Sequence, residues 1–121
     1  MGPPLIEIEL PFPPSVNHYY RRVGHRTLIS REGRRFRERV CAILAGLGVG
    51  GLRGPLHMEI EVYPPNHQRR DADNLQKALL DALQHGGLYA DDSQIKKLNI
   101  EMCGCVRGGR TLVRLEELGN A

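Results

Sequence analysis

The segment PLHMEIEVYPP constrains the fold more than any other. Leu56, Met58, Ile60 and Val62 alternate with His57, Glu59, Glu61 and Tyr63, and Pro64 and Pro65 close the run. Such alternation predicts a strand with one apolar and one polar face, so a second layer must cover one side only. Two segments supply that layer. Phe36, Val40, Ile43, Leu44 and Leu47 recur at helical spacing and predict a helix from about 31 to 46. Ser30 is its N-cap, Glu32 favours its first turn, and its arginines face outward. Glycines at 46, 48, 50, 51 and 54 end it. Leu75, Ala78, Leu79, Ala82 and Leu83 form the second stripe, over about 74 to 85. Asp73 with Gln76 has the form of a capping box, and Gly86 and Gly87 stop the helix.

LIEIEL alternates before Pro11, Pro13 and Pro14, which predicts a strand over roughly residues 4 to 10. IKKLNIEMCGCVRG and RTLVRLEEL read as two strands joined by a Gly108-Gly109 hairpin turn. SVNHYYRRVGHRTLIS reads as a surface loop or a short hairpin of a composition suited to binding. The expected fold class is therefore α/β (α+β): a two-layer domain with a mixed β-sheet, two helices on one face, and element order β-α-β-α-β-β. A length of 121 residues suits a single domain, 1–121.

No apolar run approaches the ~20 residues that span a bilayer. Glu7 and Glu9 stand where an export signal would be apolar, and Ile6 stands where myristoylation needs Ser or Thr. A cytoplasmic location is expected, with no membrane partner and no small-molecule cofactor. Cys41, Cys103 and Cys105 form neither a disulfide framework nor a zinc spacing, and read as reduced, partly buried thiols.

The net charge is +3, and 14 of the 17 basic residues are arginine, concentrated between Arg21 and Arg39. A patch of this kind attracts polyanions, or forms a solvated helix face. Against that background all five aspartates, Asp71, Asp73, Asp81, Asp91 and Asp92, fall between residues 71 and 92. Asp71 and Asp73 enter the second helix, and Asp91 and Asp92 precede the next strand. If that strand neighbours LHMEIEVY, its preceding loop is expected to approach the helix start and two or three carboxylates converge. Clustered carboxylates repel unless a cation joins them, and Mg²⁺ takes oxygen ligands while leaving positions for phosphate oxygens. Lys77, one turn after Asp73, is placed to reach such a phosphate, and Arg69 and Arg70 to bind the flanking backbone. The plainer alternatives make Asp73 a cap, pair Lys77 with Asp81, and leave Asp91-Asp92-Ser93 as a turn.

RRDADNLQKALLDAL followed by GLYADDSQI resembles the signature of the RusA family of Holliday junction resolvases. LPFPPSVNHYYR, ISREGRRFRERV and the final GGRTLVRLEELGN resemble it in order and spacing, so the likeness covers nearly the whole chain. Val16 departs from the family's pattern, which favours a polar residue beside Asn17. The resemblance implies a homodimeric endonuclease that binds four-way DNA junctions and nicks opposing strands symmetrically by Mg²⁺-dependent hydrolysis, in DNA recombination and repair. It implies catalytic Asp71, Asp73, Asp92 and Lys77. The three aspartates would be metal ligands, with Asp91 a further candidate and Mn²⁺ a substitute ion. DNA contacts are expected from Arg69, Arg70, Asn17, Tyr20, Arg21 and Arg26. Two other classes stay open: a non-catalytic basic DNA-binding protein whose aspartates are caps and turns, and a Ca²⁺ or Mg²⁺ module without DNA.

Overall fold

The computed structural model describes residues 5–118. Pro4 of the expected first strand, Gly2 and Gly119-Asn120 lie outside the described residues. In chain order the elements are β1 (Ile6–Leu10), α1 (Val16–Tyr19), β2 (Tyr20–Val23), β3 (Arg26–Ile29), α2 (Arg31–Leu47), β4 (Leu56–Tyr63), α3 (Ala72–His85), a 3-10 turn (Asp92–Gln94), β5 (Ile95–Met102) and β6 (Arg110–Glu117).

The main sheet runs β1-β6-β4-β5 and is mixed as expected: β6 is antiparallel to β1 and β4, and β5 is parallel to β4. Leu56, Met58, Ile60 and Val62 are buried together with Ile8, Leu10, Val113 and Leu115, and the stripes of α2 and α3 close over them in one contiguous core. All five predicted stripe residues of α3 are buried. In α2, Phe36, Val40 and Leu44 are buried, while Leu47, the last residue of the helix, is 54% exposed. The opposite sheet face is a charged ladder. Arg114 bridges Glu7 at 3.2 Å and Glu61 at 3.4 Å, and His57 lies 3.5 Å from Glu116.

The Gly108-Gly109 turn does not make the expected β5/β6 hairpin. β4 lies between those strands, so residues 103–109 cross its end, held by Cys103 N–H to Val62 O (2.8 Å) and Val106 N–H to Pro64 O (3.0 Å). Both glycines have positive φ, so the turn chemistry holds, but a turn signal does not say which strands it connects. The capping box expected at Asp73 and Gln76 is also absent: α3 begins earlier, with Asp71 in the cap position and Asp73 in the first turn. The ambiguous segment after β1 resolves into the short α1 and an antiparallel β2-β3 ribbon outside the main sheet. Four residues of helix carry too little periodicity to be legible.

A polar link joins the three helices. The buried Tyr19 hydroxyl donates to Asp81, and Arg37 donates to Asp81 at 2.8 Å and to the Tyr19 hydroxyl at 3.3 Å. Ser30 caps α2 as expected, accepting from Gly33 N–H at 2.9 Å, and its own hydroxyl donates to His18 O.

Gly33 lets α2 approach α1. A Cβ there would press into the Tyr19 carbonyl oxygen and lie 2.9 Å from Ile29 Cγ1, whereas one at Gly46, in the same helix, meets open space. In urea denaturation, Gly33→Ala is expected to destabilise by about 1–3 kcal/mol. Gly46→Ala should stabilise by about 0.5–1 kcal/mol, because alanine loses less backbone entropy on entering a helix. Equal effects at the two positions would contradict the close α1–α2 approach.

Candidate functional site

The five aspartates divide into two groups. Asp71 occupies the N-cap position of α3 with extended backbone, φ −100° and ψ 137°, yet makes no side-chain capping bond. Asp73 follows in the first turn, where the helix dipole favours a carboxylate. Both are exposed, and neither carboxylate forms an ion pair with a described residue. Asp81, by contrast, is committed to Tyr19 and Arg37. That bond, with burial, raises the Tyr19 hydroxyl far above the ordinary tyrosine range, burial being the larger cause.

Asp91 is committed too. Its side chain accepts from Ser93 N–H at 3.2 Å and from the Ser93 hydroxyl, which holds its carboxyl below the usual aspartate range. Gln94 completes a capping box by accepting from Asp91 N–H at 3.0 Å, and its amide donates to Leu52 O and Gly54 O at 3.0 and 3.1 Å. Of the two candidates before β5, this leaves Asp92 as the carboxylate without a capping task. Its backbone N–H bonds Gln84 Oε1 at 3.2 Å. Partial burial raises its carboxyl pKa; the nearby Tyr89 hydroxyl opposes that shift, and Asp91 and Asp81 add to it.

The expected convergence does not occur within one chain. In a parallel β-α-β unit the helix starts at the C-terminal end of the first strand and finishes at the N-terminal end of the second. Asp71 and Asp73 therefore stand at the start of α3, and Asp92 packs against its last turns. Fourteen residues of α-helix separate the two ends, about 21 Å at 1.5 Å per residue. Among the described residues, no group of three His, Cys, Asp or Glu side chains is placed to hold a metal ion.

Lys77 is exposed between the two groups and makes no ion pair with Asp81, which is already occupied. Its ammonium sits 5.5 Å from the centroid of the Tyr20 ring. Lys77, Asn17, Tyr20 and Arg21 line one open cleft of about 460 Å³ beside the β2-β3 ribbon. A second, of about 570 Å³, is shared by Asn17, Arg35, Arg39, Arg69 and Asp71 over a floor that includes Phe12. Asn17 belongs to both, so the two clefts meet along the N-terminal half of α3. Arg26 lies on the exposed ribbon and lines neither.

Arg70 lines the second cleft together with Arg69 and is half-exposed. It donates to Asn66 O, Gln68 O and Asn66 Oδ1 at 2.9–3.2 Å and packs 5.2 Å over the Phe12 ring, shaping the loop before α3. Arg69 is the exposed one of the pair. The sequence reading missed Arg35, Arg39 and Phe12, whose only signal was membership of a basic helix and a proline-rich segment. It also missed the Tyr19-Arg37-Asp81 link, because pairings across dozens of residues leave no local pattern. Cys105 departs from the expected partial burial: it is exposed, 3.4 Å from His67 Nδ1.

A sequence model of the family described as "Endodeoxyribonuclease RusA" matches residues 11–116. A protein of Enterobacteria phage 82 named "Crossover junction endodeoxyribonuclease rusA" is 42% identical over 114 residues, covering 93% of this chain and 95% of that one. Proteins of the same designation from Escherichia coli (strain K12) and Shigella sonnei (strain Ss046) are 40% and 41% identical at the same coverage. With residues 11–116 matched by the family model and relatives about 40% identical over 93% of its length, the chain belongs to the RusA family of endodeoxyribonucleases.

Proposed function

We propose that this protein is a crossover junction endodeoxyribonuclease that resolves four-way DNA junctions by hydrolysing phosphodiester bonds, with Asp71, Asp73, Asp92 and Lys77 as its catalytic residues. The observation that carries this reading is the Asp71-x-Asp73 pair, exposed and without an ion-pair partner among the described residues, with Asp71 lining an arginine-rich cleft in a chain of this nuclease family. A residue in the N-cap position whose carboxylate does not cap is available to something else. Two short carboxylates suit Mg²⁺, which is commonly held by one or two of them and otherwise by water.

In this reading Asp71 and Asp73 hold Mg²⁺, with Mn²⁺ as a substitute, and Asp92 completes the ligand set. When bound, the ion polarises the phosphoryl group and lowers the pKa of its water. Lys77 lies one turn from Asp73 with its ammonium free of carboxylates, and supplies positive charge where negative charge grows on the phosphate. Arg69, Arg21 and Arg26 neutralise neighbouring phosphates, Asn17 and Tyr20 line the path between them, and Arg70 keeps the loop in shape. No His, Cys or Ser nucleophile enters.

The length of α3 adds a condition. Asp92 of a chain cannot share an ion with Asp71 of the same chain across about 21 Å of helix. The working unit is therefore a homodimer in which Asp71 and Asp73 of one protomer meet Asp92 of the partner subunit. A twofold enzyme with two such sites also matches two symmetric cuts on a branched substrate.

Chelation with EDTA should abolish cleavage of a purified four-way junction, and added Mg²⁺ should restore it. Asp71→Asn, Asp73→Asn and Asp92→Asn should each lower cleavage about 10³-fold or more, a loss of roughly 4 kcal/mol of transition-state stabilisation. Gel-shift affinity for the junction should hold or rise as repulsion with phosphates is removed. Wild-type cutting by these variants would remove the assignment. Lys77→Met should lower kcat with little change in binding.

Mixing Asp71→Asn protein with Asp92→Asn protein tests the shared site. A mixed dimer carries both lesions in one site and none in the other, so single-strand nicking should return. If exchanged subunits stay inert, each site belongs to one chain.

A further inference from the structure

We infer that the cleft between α2 and the loop before α3 takes one unstacked nucleotide of the junction, next to the bond that is cut, with its phosphate on Arg35 and Arg39 and its base against an apolar lining of Phe12 and prolines. This rests on the nuclease reading above and adds to it a means of telling a branch from a plain duplex.

The cleft holds about 570 Å³, within the ~300–1,000 Å³ usual for sites that enclose one small organic ligand. Its lining has two unlike parts. Arg35 and Arg39 reach it from α2, four residues apart and hence on one helix face. Both are exposed, and neither forms an ion pair with a described residue, although Glu32 lines the same cleft. Like charges at this spacing repel, so the pair works against its own helix until an anion joins it. Planar guanidinium groups match the oxygens of a phosphate.

The other part is Phe12, Pro13, Pro14 and Pro65. The three prolines offer ring surface and no backbone N–H, so the main chain there has no donor for a phosphate. This surface is also held in place. The Arg70 guanidinium lies 5.2 Å from the centroid of the Phe12 ring. Gly109 packs so closely behind it that an added Cβ would stand 2.8 Å from Phe12 Cβ and 3.2 Å from Pro65 Cδ. Asn17, Gln68 and Asn74 bring amides, each able to donate and to accept, to the same cleft. Free guanidinium groups, a rigid apolar surface and amides together match the three parts of one nucleotide: phosphate, base face and base edge.

Linear duplex DNA does not present that combination, because stacking covers its base faces. Taking a base out of the stack is costly in a duplex and cheapest where pairing is already interrupted, as at a branch point. Asp71 lines the same cleft, which sets the lodged nucleotide beside the phosphate at the proposed ion site. The cleft therefore fills at a branch and stays empty on linear DNA.

The adenine analogue 2-aminopurine, which brightens when it leaves the stack, reports this step. Placed beside the mapped cut in a four-way junction and bound in EDTA, so that no strand is cut, it should brighten about threefold or more and resist quenching by acrylamide. The same label in linear duplex should not brighten. Arg35→Ala/Arg39→Ala, which removes two exposed side chains free of ion pairs, should lose the brightening and lower junction cleavage about tenfold or more. Arg31→Ala, an exposed arginine of the same helix outside the cleft, should keep both. A junction that the gel shift shows bound, yet with no brightening on either side of the cut, overturns this inference and leaves the aspartate assignment intact. Full brightening in the Arg35→Ala/Arg39→Ala protein overturns it equally. Because the label is read without metal, wild-type cutting by the Asn variants would overturn the catalytic assignment alone.

Discussion

The parallel pairing of β4 with β5 is the constraint on which the rest of this structure depends. Two adjacent parallel strands require a connection that returns the full length of the sheet, and α3 makes that return while burying Leu75, Ala78, Leu79, Ala82 and Leu83 in the common core. Once the helix is committed to that path, its two ends belong to opposite ends of the sheet. The residues before it and the residues after it cannot meet. The separation of Asp71 and Asp73 from Asp92 is therefore a consequence of topology and not of side-chain choice, and no rotamer change closes it.

The distribution of acid side chains follows the same division. Asp81 sits between Tyr19 and Arg37, each of which also bonds the other, so the charge is shared among three groups where α1, α2 and α3 approach. Asp91 closes a capping box with Gln94, and Gln94 in turn fastens the turn to residues 52–54. These two carboxylates are satisfied by the chain itself. Asp71 lies where a cap should form and does not form one, and Asp92 has its carboxyl pKa raised by partial burial and acidic neighbours. A carboxylate left unsatisfied at the surface costs little, but one held beside other acids is unfavourable until a cation arrives.

Much of the fold was legible because it is periodic. The alternation of LHMEIEVY, the stripes of α2 and α3 and the Ser30 cap each rest on a local rule, and the structure follows them to within a few residues. What the sequence concealed is non-local. β6 enters between β1 and β4 although it follows β5 in the chain, because strand order is decided by which apolar faces can share one core. The convergence expected of the aspartates failed for a reason that was available: neighbouring strands joined through a helix imply a parallel crossover, and a parallel crossover parts the helix start from the loop before the next strand. The residue types of the site were readable; the separation of its two halves was not, because it follows from strand order and not from any local pattern.

A site divided in this way has a chemical consequence on the proposed reading. Within one protomer the free carboxylates stand either alone or as a close pair, and an exposed pair binds a hard cation weakly, since Mg²⁺ gives up its water reluctantly. Bringing a third carboxylate from a second copy raises the local negative charge only when two chains are joined, so ion binding and dimerisation favour each other. Lys77, exposed between the two acid groups and free of both, then offsets part of that charge in the space a phosphate would enter. An enzyme built so would hold little cutting power as a monomer on the duplex DNA that its arginines also attract. Its activity would be confined to the assembly whose twofold symmetry matches a branched substrate.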